Sequence, residues 1–76
     1  MKKFNEIASH SFSIEQNEVK DSLTPKDIPG WDSMNYLLFI AELEKQFNVS
    51  FSMDEVLNAK SLGDIRKVLQ TKGIAV

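Results

Sequence analysis

The chain has 76 residues, room for one small domain that buries a modest fraction of its surface. Nine Lys and Arg against eleven Asp and Glu give a net charge of −2, which argues against nucleic-acid binding, where affinity rests on neutralising phosphates. Cysteine is absent and histidine occurs once, as His10, so no disulfide, thiolate zinc site, cysteine nucleophile or histidine metal cluster can form.

Met1-Lys2-Lys3 is basic, but Asn5, Glu6, Ser9 and His10 interrupt the apolar stretch that a targeting signal needs. No apolar run approaches the ~20 residues that span a bilayer, so a soluble, cytoplasmic protein is expected. Phe4, Ile7 and Ala8 predict a short first helix, with Ser11 filling the next place on that face and Phe12 near its end. From Ser13 to Pro29 periodicity is lost, and Thr24-Pro25 and Ile28-Pro29-Gly30 punctuate the stretch. A connection this long is uncommon in a compact domain unless it is functional or anchored by its own apolar side chains. Val19, Leu23 and Ile28 are the expected anchors.

Ser33 to Phe47 is the strongest helix pattern. Beyond it, Ser52 and Glu55 form an S-x-x-E capping box for a short third helix carrying Val56 and Leu57. Ser61 heads a last helix, with Asp64 at the matching position and Leu62, Ile65, Val68 and Leu69 as its apolar face. Lys72 and Gly73 close it, as a basic last turn and a glycine stop. Nothing reads as a paired strand. The expected fold is all-α, a small bundle of three main helices plus one short helix, in one domain over residues 1–76.

Two features of the second helix go beyond packing. Pro29 and Gly30 break whatever precedes it, which places the Ser33 hydroxyl at a helix N-terminus. There the unpaired backbone N–H groups and the positive end of the macrodipole favour an attached phosphate. Asp and Ser are also the preferred N-caps, so loss of the Ser33 hydroxyl is expected to cost up to ~1 kcal/mol as a lost cap. The second feature is an excess of apolar surface. At 100° per residue Tyr36, Phe39, Ile40, Leu43 and Phe47 make a full core stripe, yet Met34, Leu37, Leu38 and Ala41 cluster on roughly the opposite side. Glu44 flanks that second stripe on one side, Asn35 and Glu42 on the other. Either the third helix and the long loop cover it, or it docks partner proteins beside the serine.

Catalytic alternatives fit poorly. A triad would need Ser33, His10 and a carboxylate, but Asp32 is adjacent to the serine and badly placed to orient His10, and no G-x-S-x-G elbow is present. His10 reads as a solvated or helix-end residue. A helix-turn-helix reader of DNA would fit the helix count but not the acidic balance. No catalytic residue and no metal ligand is expected.

Asp32-Ser33-Met34, a helix ending Leu43-Glu44-Lys45-Gln46-Phe47, then Val49 and Phe51 before a Ser-capped short helix, and a final Ser61-Leu62-Gly63-Asp64-Ile65 helix together resemble the acyl carrier proteins. The resemblance runs from about Ile7 to Leu69. It implies that Ser33 is esterified with phosphopantetheine from coenzyme A by a phosphopantetheinyl transferase. It also implies that the terminal thiol carries acyl or aminoacyl groups as thioesters between loading and transferring enzymes. Asp32 matches the family's flanking aspartate, a helper in metal and transferase engagement as well as a cap. Trp31 before it resembles carriers of specialised pathways. A cofactor that supplies the thiol removes the difficulty of a chain without cysteine.

Two departures from the family bear on partners. Housekeeping carriers are strongly acidic and show carboxylates on the second helix, whereas this chain has Asn35, Leu38 and Lys45 at such places and keeps Glu42 and Glu44. Electrostatic steering onto basic partners is therefore expected to be weaker. Met34, Leu37 and Ala41 match the apolar docking positions and Leu38 extends them. A free-standing, monomeric carrier for a dedicated pathway is expected. An unmodified, carrier-like interaction module is the alternative.

Overall fold

Phe4, Ile7, Ala8 and Phe12 recur at helical spacing, and all four are buried on one face of α1, Lys3–Phe12. The computed structural model describes residues 3–76, so Met1 and Lys2 of the basic start lie outside it. Helix α2 spans Ser33–Phe47, α3 Met53–Asn58 and α4 Leu62–Thr71, and no strand occurs among the described residues. This is the expected all-α fold of three main helices and one short one. Helix α2 buries Phe39, Ile40 and Leu43, with Tyr36 and Phe47 packed at the core's edge. Phe39 sits edge-on to Phe4 and tilted against Phe12, with centroids 5.7 and 5.1 Å apart, so α1 and α2 meet through aromatic rings. No helix of the described chain is long and apolar enough to cross a membrane.

The long connection is not structureless. It contains a short 3₁₀ turn, Gln16–Glu18, in which Glu18 accepts from the Glu15 amide at 3.0 Å. Ile28 is buried, and Val19 and Leu23 pack against the core as expected, with Ile14 as a further anchor. A second fastening is polar. Leu62 N–H donates to Leu23 C=O at 3.0 Å and Gly63 N–H to Asp21 C=O at 2.9 Å. Loop carbonyls thus satisfy the first amides of α4, and Ser61 Oγ accepts from the third, Asp64 N–H. The Asp64 carboxylate reaches past Ser61 to the Lys60 amide, at 2.9 Å. Arg66 completes the attachment, donating to Asp21 at 2.8 Å and Asn5 at 2.9 Å while lying 4.4 Å from the centroid of Phe4.

Gly63 is required where the loop meets α4. A Cβ there would lie 2.9 Å from both the Cβ and the carbonyl oxygen of Asp21, and backbone cannot yield cheaply. Gly63→Ala is therefore expected to cost about 1–3 kcal/mol, read as a lower urea midpoint at unchanged m-value. A variant as stable as wild type would mean that the loop is not held at this point.

The α3 capping box forms as expected, with Glu55 N–H donating to Ser52 Oγ at 3.1 Å and Ser52 N–H to Glu55 at 2.8 Å. That amide and then Lys72 hold the Glu55 carboxyl below its usual range. Helix α4 ends in a Schellman pair, Gly73 N–H to Gln70 C=O and Ile74 N–H to Leu69 C=O, both 3.0 Å. One assignment is corrected. Val68 does not join Leu62, Ile65 and Leu69 in the core but lines a surface groove between α3 and α4. It follows Ile65 by three positions, yet at 100° per residue it falls about 120° from Leu62.

Candidate functional site

The serine-bearing turn is assembled from local bonds and one tight approach. Trp31 N–H donates to Ile28 C=O at 3.0 Å, Asp32 N–H to Gly30 C=O at 3.1 Å, and Asn35 Nδ2 to the same Gly30 carbonyl at 2.7 Å. A Cβ on Gly30 would sit 2.8 Å from the Phe12 carbonyl oxygen, so only glycine lets the turn rest against the end of α1. Trp31 stacks on Phe12, centroids 5.1 Å apart at 22°, and lies 5.5 Å from Tyr36. The Tyr36 hydroxyl donates to Val56 C=O at 2.6 Å, joining α2 to α3. Burial, then the charge of Asp64, pushes its pKa above the ordinary phenol value, which keeps it a neutral donor.

Ser33 is the first helical residue of α2, and its neighbour is the cap. Asp32 has extended backbone, φ −110° and ψ 177°, and its Oδ1 accepts from Asn35 N–H at 2.8 Å. The expectation that the Ser33 hydroxyl caps the helix is therefore corrected. Asp32 already holds the amide that a cap would take, and the exposed Ser33 hydroxyl has no partner among the described residues. Nor do the amides of Ser33 and Met34 donate to any described group. Within α2 the first turn carries no acidic side chain. Free amides, the positive helix end and a spare hydroxyl suit a phosphodiester on this oxygen.

His10 is exposed and lines a groove of about 810 Å³ between α1 and α2, together with Glu6, Asn35, Leu38 and Glu42, and Ser33 is not in that lining. The Ser33–His10 pairing that a triad needs is not assembled. No group of three or more potential metal ligands occurs among the described residues.

The second apolar stripe of α2 lies open. Met34 is 72 % exposed, Leu37 and Leu38 are each 59 % exposed, and Ala41 is exposed beside them. Neither α3 nor the long loop covers these four side chains. The flanking acids are partly engaged within the chain. Glu42 accepts from Gln46 Nε2 at 2.7 Å, and Glu44 from the Phe51 amide at 2.8 Å, which ties α2 to the loop before α3. On α3, Met53, which the sequence reading did not single out, and Leu57, which it gave to the helix's apolar residues, are each 70 % exposed. A signal was present, since adjacent Val56 and Leu57 lie 100° apart on a short helix and cannot both face one core.

A family model described as the phosphopantetheine attachment site matches residues 30–69. The chain is also similar to an acyl carrier protein of Exiguobacterium sibiricum, 27 % identical over 67 residues that cover 88 % of this chain and 85 % of the relative. Among solved structures it resembles one described as an acyl carrier protein from Mycobacterium tuberculosis. The TM-score is 0.83 at 21 % identity, covering 93 % of this chain and 95 % of that one, and this likeness concerns the fold.

Proposed function

As the chain belongs to the phosphopantetheine-attachment family of acyl carrier proteins, we propose that Ser33 receives the arm and that the protein presents a thioester-bound acyl or aminoacyl group to the enzymes of a dedicated pathway. The observation that carries this is the exposed, unpartnered hydroxyl on the first residue of α2, with the capping role taken by Asp32. The bound arm supplies the thiol that a chain without cysteine lacks. The chain's own tasks are to hold Ser33 Oγ outward, to offer the Ser33 and Met34 amides to the phosphodiester, and to be read by several enzymes in turn. A phosphopantetheinyl transferase activates the hydroxyl, so no base is needed in the carrier. The loading and transferring enzymes read Met34, Leu37, Leu38 and Ala41, flanked by Glu42 and Glu44, and the carrier works as a monomer.

Incubation with coenzyme A and a broad-specificity phosphopantetheinyl transferase should add one arm per chain, seen by intact mass. Wild-type protein left unmodified where a control carrier is fully loaded would favour an unmodified interaction module.

The packing between α2 and α3 supports a reading of the cargo. A chain folding inward there would have to pass Phe39, Leu43, Phe51, Val56 and Leu62, of which Phe39, Leu43 and Leu62 are fully buried. Two grooves among the described residues lie elsewhere, between α1 and α2 and between α3 and α4. A close-packed interior gives a long chain little room, so the cargo is short or polar. Melting temperatures of the holo form loaded with saturated chains of increasing length should stay flat. A steady rise with length would overturn this.

A further inference from the structure

We infer that Trp31 is a positioning residue for the modification of Ser33, acting through its stack on Phe12, an inference that rests on the carrier function proposed above. Three observations bear on it. The stack, at 5.1 Å and 22°, joins the serine turn to the last residue of α1, and Phe12 is itself buried against Phe39. The same indole lies 5.5 Å from Tyr36, whose hydroxyl holds Val56 of α3. Trp31 therefore sits where the turn, α1, α2 and α3 are linked. Between Trp31 and Ser33 there is only Asp32, whose side chain binds forward to Asn35, and the Gly30 carbonyl behind is held by Asn35 and Asp32 N–H. These bonds fix the turn internally, but they are local and can move as one body. The indole stack and the close seat of Gly30 on Phe12 fix that body against the bundle.

The transferase reaction forms a bond from Ser33 Oγ to the β-phosphorus of coenzyme A and breaks the phosphoanhydride, releasing adenosine 3′,5′-bisphosphate while the serine proton passes to a base of the transferase. That displacement needs Oγ in line with the leaving oxygen, and a displacement of about 1 Å can cost on the order of a hundredfold in rate. A loosened turn lowers the fraction of encounters with Oγ in place, so it should lower kcat and leave KM for the carrier unchanged.

The test uses the full chain, coenzyme A and the broad-specificity transferase, with Trp31→Phe and Trp31→Leu, each shown to be folded by circular dichroism. Trp31→Phe keeps a flat ring over Phe12 and should stay within about threefold of wild type. Trp31→Leu keeps apolar bulk but not the stack, and should lose about tenfold in kcat at unchanged KM, with faster amide exchange at Asn35. Wild-type kcat in Trp31→Leu would overturn the proposal. So would a rise in KM at unchanged kcat, which would make Trp31 a contact for the transferase. Should Trp31→Leu fail to fold, Phe12→Leu removes the stack from the other side and should show the same kcat loss. An unchanged kcat there also overturns the proposal. Wild-type protein that takes no arm would overturn the carrier function itself, a result distinct from all of these.

Discussion

Ser33→Ala should abolish phosphopantetheinylation while leaving the protein within about 0.5 kcal/mol of wild-type stability, the range of surface changes that break no cap. Asp32→Ala should behave differently, losing about 0.5–2 kcal/mol because it removes the acceptor that holds Asn35 N–H. It should still take the arm, more slowly. The contrast separates two neighbouring residues that sequence alone makes equal candidates for the cap. Urea denaturation and intact mass on both variants check it. Ser33→Ala destabilised by as much as Asp32→Ala would return the capping role to the serine, and an arm added to Ser33→Ala would place the attachment elsewhere.

Leu38→Glu should weaken turnover by the cognate loading enzyme roughly five- to twentyfold. Fully burying a leucine is worth about 1.5–3 kcal/mol. Leu38 keeps 59 % of its surface to lose, so docking recovers about 0.9–1.8 kcal/mol of that, which sets the fold-change. The added carboxylate has a second consequence. It gives the helix the acid seen in strongly acidic carriers, so recognition by fatty-acid synthase enzymes should improve, and salt should erode that gain because the new contribution is electrostatic. Leu38 also lines the α1–α2 groove, so circular dichroism must first show the variant folded. A folded Leu38→Glu protein loaded at the wild-type rate by its own enzyme would count against docking through this face.

Periodicity made most of the fold legible. Phe4, Ile7, Ala8 and Phe12, the stripe Phe39, Ile40 and Leu43, and the Ser52–Glu55 box are local patterns whose consequence does not depend on the rest of the chain. What stayed hidden is non-local. Nothing in the residue types says that the Asp21 and Leu23 carbonyls fasten to the first amides of α4, or that Arg66 reaches Asp21, Asn5 and Phe4 at once. The start of α2 was legible to the residue, because Asp-Ser after Pro-Gly before an apolar helix marks it. The division of labour was not, since either side chain can cap and only the Asp32 Oδ1 to Asn35 N–H contact decides. Asn35 carried a second hidden role. It stands where acidic carriers show a carboxylate, but its side chain is committed to the Gly30 carbonyl and so serves the turn.

The central claim, that the chain carries phosphopantetheine on Ser33, is tested most directly by intact mass spectrometry of the protein isolated from its native cell, followed by fragmentation to locate any added group. The expected result is a mass raised by one phosphopantetheine, with or without a cargo on its thiol, and the addition placed on Ser33. A mass equal to the bare chain, from cells whose other carriers are fully loaded, would contradict it.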